Sequence, residues 1–351
     1  MLQRTKAIGD VTNRKPMQRV GVLSELPDVL HVLGADPAAV FHGSGIAPHS
    51  LSPDLRLAFP DLLLILERAA RISGCSYIGL LLGRRFELLR HHGVMGQLMH
   101  SAPTLKQAIV DFVTRQPGYS SGAIVYLNQF GDKYDFGYGT YAPSAPGARV
   151  LYDTVVSVGM RMVQELTNGT AKPASAHFSH GADQHRAIYS RLLNLPVQFN
   201  QPRSGLMLPE AAMRKAPLRA DPAERQRLLA VIRDMNPRTA ADLATRVSHS
   251  IRHQLHYEGP TMSAVARELG IHPRTLRRRL KDEGETFENL LDRVRYAVAC
   301  ELLGLTVIPI SEVADVLGFA SLAVFSRAFR RWSGTSPSSW RRGRTESWSV
   351  A

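Results

Sequence analysis

Two stretches near the C-terminal end share one internal grammar, and that repeat constrains the fold more than any other feature. The first runs Met262-Ser263-Ala264-Val265-Ala266-Arg267-Glu268-Leu269-Gly270, the second Ile310-Ser311-Glu312-Val313-Ala314-Asp315-Val316-Leu317-Gly318. Each places apolar residues at i, i+3, i+4 and i+7 (Met262, Val265, Ala266, Leu269; Ile310, Val313, Ala314, Leu317), the buried stripe of one α-helix. A small Ala four residues before a Gly lets a second helix pack close and the chain turn sharply. A basic segment follows each Gly. Helix, tight turn and basic helix is the layout of a helix-turn-helix motif whose second helix enters a DNA groove.

The two second helices carry the candidate chemistry. After Gly270 comes Ile271-His272-Pro273-Arg274-Thr275-Leu276-Arg277-Arg278-Arg279-Leu280-Lys281. Pro273 suits the first helical turn, where a missing N–H costs nothing. At 100° per residue Arg274, Arg277, Arg278 and Lys281 share one face, and Leu276 and Leu280 the opposite one. After Gly318 the inward pair is Phe325 and Phe329, with Ala323, Ser326, Arg327 and Arg330 outward and Ser321 placed as N-cap. A single run of arginines is also the pattern of a solvated helix face. Two runs, each behind a matched helix and turn, point to nucleic acid. Between the motifs, Thr286 to Leu303 lacks Pro and Gly and repeats apolar residues at helical spacing. Such a helix spans about 27 Å, near the ~34 Å between successive major-groove faces of B-DNA.

Residues from about 240 to 342 resemble the DNA-binding domain of the AraC/XylS family of bacterial transcription regulators. The resemblance rests on Arg293-Val294-Arg295-Tyr296-Ala297, Leu302-Leu303, Ile310 through Phe319, Phe325 through Arg331, Gly334-Thr335-Ser336-Pro337 and Trp340-Arg341. It implies base-reading positions at Arg274, Arg277 and Arg278 on the first recognition helix, and at Ala323, Ser326 and Arg327 on the second. Lys281, Arg330 and Arg331 are expected to meet phosphates. Leu322 and Ala323 offer no hydrogen-bond donor and reach a thymine methyl at most, so the second helix is expected to read less sequence.

The region before residue 235 reads as a mixed domain. Asp61 to Arg85 looks largely helical, as do Leu105 to Thr114 and Arg149 to Leu166. Ala123–Gln129 and Tyr134–Tyr141 carry strand residues around a hairpin signal, and Ala174–Phe178, Val197–Phe199 and Gly205–Leu208 are shorter strand candidates. Roughly residues 20–215 resemble, more loosely, the N-terminal effector domain of one branch of AraC-type regulators. Gly96-Gln97-Leu98, Ser101 through Leu105, His177-Phe178-Ser179-His180, Tyr189, Val197-Gln198-Phe199 and Leu206 through Pro209 carry that likeness. It implies a small organic effector of the arabinose-binding-domain type, allows a homodimer, and transfers no ligand-contacting residue. The expected plan is therefore an α+β domain followed by an all-α domain with two helix-turn-helix motifs. Its parts are a mobile arm at 1–20, the effector domain at 21–215, a linker at 216–237, the DNA-binding domain at 238–342 and a frayed tail at 343–351.

Composition agrees but decides little. The chain of 351 residues carries a net charge of +13, suited to a polyanionic partner. Only 17 basic and 12 acidic residues follow position 235, so the excess is not confined to the DNA-binding region. Two cysteines, Cys75 and Cys300, are too few for a disulfide framework or a zinc site. No segment approaches a membrane span, and the basic N-terminus lacks the apolar core of a signal peptide, so a cytoplasmic protein without membrane contact is expected. His177, His180 and His185 lack acidic neighbours at ligand spacing and are expected at the surface or as caps, and the adjacent His91 and His92 are poor joint ligands. Gly79-Leu80-Leu81-Leu82-Gly83-Arg84 has neither the length nor the Lys of a phosphate-binding loop, and no Ser sits in a nucleophile elbow. No catalytic residue, cofactor or metal is expected; the partners are double-stranded DNA, a small organic effector and RNA polymerase. Two alternatives remain: a DNA repair or modification protein, which would need a reactive cysteine, and an N-terminal enzyme tethered to the same DNA reader.

Overall fold

The computed structural model describes residues 16–116, 120, 122–140, 145–181, 185–235, 243–255, 259–305 and 308–348. They form two compact units, one built from the described residues up to 235, the other from those of 243–348. The first is α+β and the second all-α.

The first unit opens with β1 (Met17–Arg19), α1 (Leu26–Val32), α2 (Pro37–Phe41), β2 (Arg56–Ala58) and α3 (Phe59–Ser73). Four short helices follow: α4 (Ile78–Gly83), α5 (Leu88–His92), α6 (Val94–His100) and α7 (Leu105–Arg115). Next come β3 (Ala123–Phe130), β4 (Lys133–Thr140), α8 (Ala148–Thr167), β5 (Ser175–His177), α9 (Arg186–Leu193), β6 (Val197–Gln198) and β7 (Ser204–Pro209). The unit closes with α10 (Glu210–Met213) and α11 (Pro222–Met235). Its main sheet has the order β3-β4-β7-β5-β6, antiparallel except between β5 and β6. Strand β4 is buried on both faces over most of its length, and on one of them Phe136 pairs with the equally buried Leu206 of β7. The long helix α8 packs closely on that face: a Cβ on Gly159 would come within 3.3 Å of Leu206 and 3.4 Å of Phe136.

Helix α4 crosses α8 at such short range that side chains are excluded. A Cβ on Gly79 would stand 2.3 Å from the Val150 carbonyl, and one on Gly83 2.5 Å from the Thr154 carbonyl. The two glycines that do not make a phosphate loop therefore make a helix contact. The helical stretch expected from Asp61 to Arg85 is broken at Gly74, which takes φ 62° and caps α3.

Four expectations need correction. The arm ends before residue 17, because Met17–Arg19 pairs antiparallel with Arg56–Ala58. Within the expected linker 216–237, the helix that Asp221-Pro222 signals to about Met235 is present as α11, but it is packed and not free, because it buries Leu228 in the core of the first unit. Arg225 of α11 also meets the buried Asp111 carboxylate of α7 at 2.5 Å, a partnership no local pattern reveals. His177 and His180 are buried, not surface groups. His177 Nε2 faces Asp135 at 3.1 Å. His180 Nε2 lies 2.9 Å from Asp153 Oδ1, and Tyr189 donates to Oδ2 of the same carboxylate at 2.7 Å. Finally, the tail expected from 343 continues as helix to Trp348.

The second unit contains α12 (Leu243–Gln254), α13 (Met262–Glu268), α14 (Pro273–Asp282), α15 (Phe287–Leu305), α16 (Ile310–Val316), α17 (Leu322–Ser333) and α18 (Pro337–Trp348). The expected start of the DNA-binding domain at 238 lies outside the described residues. One continuous core joins Val247, Val265 and Leu276 of the first motif to Val294 and Val298 of α15 and to Val313 and Phe325 of the second. The first motif packs on α12 and the second on α15, and the contact of α12 with α15 joins them in one core.

Buried histidines couple this fold to pH. Burial pushes His249 of α12 down to about 4, with the nearby Arg252 charge acting the same way. The unfolded chain takes up that proton near pH 6.5 while the folded chain resists until about pH 4, so stability is lost as pH falls through this window. The loss should be on the order of 2–3 kcal/mol from His249 alone. All three tryptophans, Trp332, Trp340 and Trp348, lie in the second unit, so urea titrations followed by tryptophan fluorescence at pH 7 and pH 4.5 isolate it. His249→Gln should flatten the decline; an unchanged pH dependence would assign it to other groups.

Candidate nucleic-acid interface and cavity

The two turns are built alike at atomic level. Ile271 N donates to Ala266 O at 3.0 Å and Gly270 N to Arg267 O at 3.1 Å; Phe319 N donates to Ala314 O at 3.0 Å and Gly318 N to Asp315 O at 2.9 Å. This is the double bond that closes a helix on a left-handed residue. Gly270 and Gly318 sit at φ 67° and 69°, where a Cβ would be strained. Ala266 and Ala314 are fully buried. The following helices start on side-chain caps, His272 Nδ1 accepting from Arg274 N at 3.2 Å and Ser321 Oγ from Val324 N at 3.3 Å.

On α14 the sequence-predicted face is real. Leu276 and Leu280 are buried, while Arg274, Arg277, Arg278 and Lys281 are all exposed. None of the four makes an ion pair among the described residues. The acidic residues that follow are occupied elsewhere: Glu283 accepts from Leu243 N and Ala244 N at the start of α12, and Glu285 holds Arg293 at 2.6 Å. Four cations thus stand together without neutralisation, the electrostatic footprint of a phosphate-rich partner.

On α17 the picture is more mixed. Phe325 and Phe329 are fully buried, and Leu322 and Val324 are 45% and 38% exposed. Ala323, Arg327 and Arg330 are exposed and Ser326 half-buried. Arg331, expected at phosphate, instead reaches Asp292 of α15 at 2.6 Å. The first turn of α17 consequently presents apolar groups where α14 presents cations. Val324 was not singled out by periodicity, because a helix N-terminus exposes all sides of its first turn.

The first unit holds a cavity of about 140 Å³ between β1, the helices α3, α4, α5 and α7, the sheet and α8, room for a molecule near the size of benzene. Its walls are mostly apolar, including Leu66, Phe86, Val125, Phe136 and Val158, and its polar lining includes Gln18, His92 and Gln116 as well as Thr154 of α8 and Ser204 of β7. Burial holds His92 near pKa 4, so the ring is neutral at pH 7; it stacks on Phe112 at 5.1 Å. His91 Nδ1 accepts from Glu87 N at 2.9 Å, which leaves Nε2 toward Glu25. These lining residues come from segments up to about 190 positions apart in the chain, and no motif announces them. Gln18 was masked further by its placement in the expected arm.

Cys75 and Cys300 are 6% and 5% exposed, and burial raises the Cys75 thiol. Neither has the accessible, electropositive setting of a reactive thiolate, which weighs against the repair alternative.

Comparison with known proteins finds two families along the chain. Residues 34–216, more than half of it, match the arabinose-binding domain of AraC transcription regulators, and residues 265–343 match a helix-turn-helix domain. The ornithine utilization regulator of Pseudomonas aeruginosa is 28% identical over 348 residues, covering 92% of this chain and 95% of that protein. The HTH-type transcriptional regulator VirS of Mycobacterium tuberculosis is 26% identical over 318 residues, covering 90% and 93%. The crystal structure of the transcriptional regulator CdpR from Pseudomonas aeruginosa covers 91% of this chain and 97% of its own at 25% identity, with a TM-score of 0.44.

Proposed function

The chain belongs to the AraC family of transcription regulators, a DNA-binding family, and on that premise we propose that α14 and α17 read two adjacent major-groove segments while the cavity against α8 takes the controlling effector. The observation that carries the DNA part is the set of four unneutralised cations on α14, held on the same rigid core as α17. In this reading Arg274, Arg277 and Arg278 contact base edges, and Lys281 and Arg330 contact phosphates. Ala323, Ser326 and Arg327 face the second groove, with the exposed Leu322 and Val324 offering apolar contact to thymine methyls. Arg331 contributes only if it leaves Asp292. The output passes to RNA polymerase, a second copy of the chain is an allowed partner, and the first unit acts as a binding module, not as an enzyme.

The name of the Pseudomonas aeruginosa relative raises ornithine as an effector. A diamino acid brings two ammonium groups that need carboxylates when buried, and the described cavity lining has neither Asp nor Glu. This favours a different ligand here.

Selection from a randomised duplex by the purified full-length protein tests the DNA reading. Phosphate contacts set register and salt dependence, base contacts set sequence. The half-site under α14 is expected to be sharp and the one under α17 tolerant. Arg330→Ala should weaken all sequences alike and shallow the salt slope by about one. Two equally sharp half-sites, or a sharper one under α17, would refute this division.

A further inference from the structure

We infer that the effector is a small, uncharged, largely apolar molecule carrying a hydroxyl or N–H donor, which it gives to the side-chain oxygens of Gln18 and Gln116. This rests on the reading of the cavity as the effector site. Three observations on the cavity set the chemistry.

The first is charge. Among the described lining residues there is no carboxylate, and the guanidinium that lines the cavity, that of Arg19, is committed. It pairs with Asp54 and donates to the His91 carbonyl at 3.0 Å. Glu25, behind His91, is held by Arg90 at 2.8 Å. A buried ligand charge of either sign would meet no uncommitted counter-charge, at a cost of several kcal/mol that binding cannot easily offset.

The second is an unmet hydrogen-bond demand. Gln116 is 3% exposed, and its Oε1 has no partner among the described residues. Gln18 Oε1 is also buried without a partner, while its amide nitrogen donates to the Arg19 carbonyl at 3.0 Å, which fixes the oxygen as the free end. The two residues stand on neighbouring segments of the cavity wall, since the backbone of Gln18 bridges to Ser120 and Ser120 N donates to Gln116 O at 3.1 Å. Two orphaned acceptors in one wall call for a donor, and a site of this kind discriminates against an analogue that lacks one.

The third is size and wall chemistry. A cavity of about 140 Å³ walled by Leu66, Phe86, Val125 and Phe136 suits one ring or a short alkyl chain.

Calorimetric titration of the full-length protein with four probes tests the assignment: benzyl alcohol, toluene, benzoate and L-ornithine. Benzyl alcohol is expected to bind at least about tenfold more tightly than toluene, with benzoate and ornithine weaker than either. Gln18→Leu with Gln116→Leu should erase the preference for the alcohol while retaining toluene. Val158→Phe should abolish binding of both by filling the cavity, with tryptophan fluorescence and DNA binding confirming an intact second unit. If benzoate or ornithine binds tighter than benzyl alcohol, or toluene equals it in the native protein, the chemical class is wrong although the cavity is a site. If none of the four binds, or binding survives Val158→Phe, the cavity is not the site and both readings fall.

Discussion

Replacing Arg274 and Arg277 together by Ala should weaken binding to the selected duplex by roughly 10²- to 10⁴-fold, at about 1–3 kcal/mol for each base-reading Arg. The two lie one turn apart on α14, so their effects should couple and need not sum. Leu276 and Leu280, which hold the helix in the core, are untouched, so loss of affinity without loss of stability is the signature sought. Discrimination between base readout and simple charge comes from a scrambled duplex at the same salt. Base-reading arginines should lose far more affinity on the selected sequence than on the scrambled one, whereas phosphate contacts would lose equally on both. Wild-type affinity and an unaltered selected sequence in the double variant would remove these residues from the reader.

Substituting Val at both Gly79 and Gly83 should destabilise the first unit by about 3 kcal/mol or more, above the usual cost of overpacking. The obstacles are backbone carbonyls and Cβ atoms of α8, the Val150 carbonyl at 2.3 Å for Gly79 and the Thr154 carbonyl and Ser157 Cβ at 2.5 Å for Gly83, none of which can swing aside. Relief requires α4 and α8 to separate. Because α8 contributes Leu151, Thr154, Val155 and Val158 to the cavity wall, probe binding should fail along with stability. Urea unfolding followed by circular dichroism measures the loss, while tryptophan fluorescence, confined to the second unit, should keep its midpoint. Unchanged unfolding by circular dichroism would mean that the helices are not in this contact.

The parts of this protein that the sequence determined by itself are those whose causes lie within a few residues. Apolar spacing of 3 and 4 specifies α13 and α16, Gly270 and Gly318 end them, and Pro273 and Ser321 start the helices that follow. The same short range explains the β3–β4 hairpin and the cap of α7 at Thr104, whose Oγ1 accepts from Gln107 N at 3.1 Å. The outward arginines of α14 were legible because helical periodicity decides both faces at once. Where causes lie far apart in the chain, local reading failed. The helix within 216–237 is announced by Asp221-Pro222, but nothing local shows that it docks on the first unit, where Arg225 meets Asp111 across 114 positions. His177 and His180 look like surface groups until Asp135 and Asp153 receive them, and the N-terminal strand looks like a loose arm until Arg56–Ala58 pairs with it. The cavity is the extreme case: Gln18 and Gln116 carry no pattern, and only the tertiary fold brings the two residues into the wall of one cavity. Periodicity and capping are written in neighbouring residues, whereas burial, charge pairing and cavities depend on which distant segments the collapsed chain brings together.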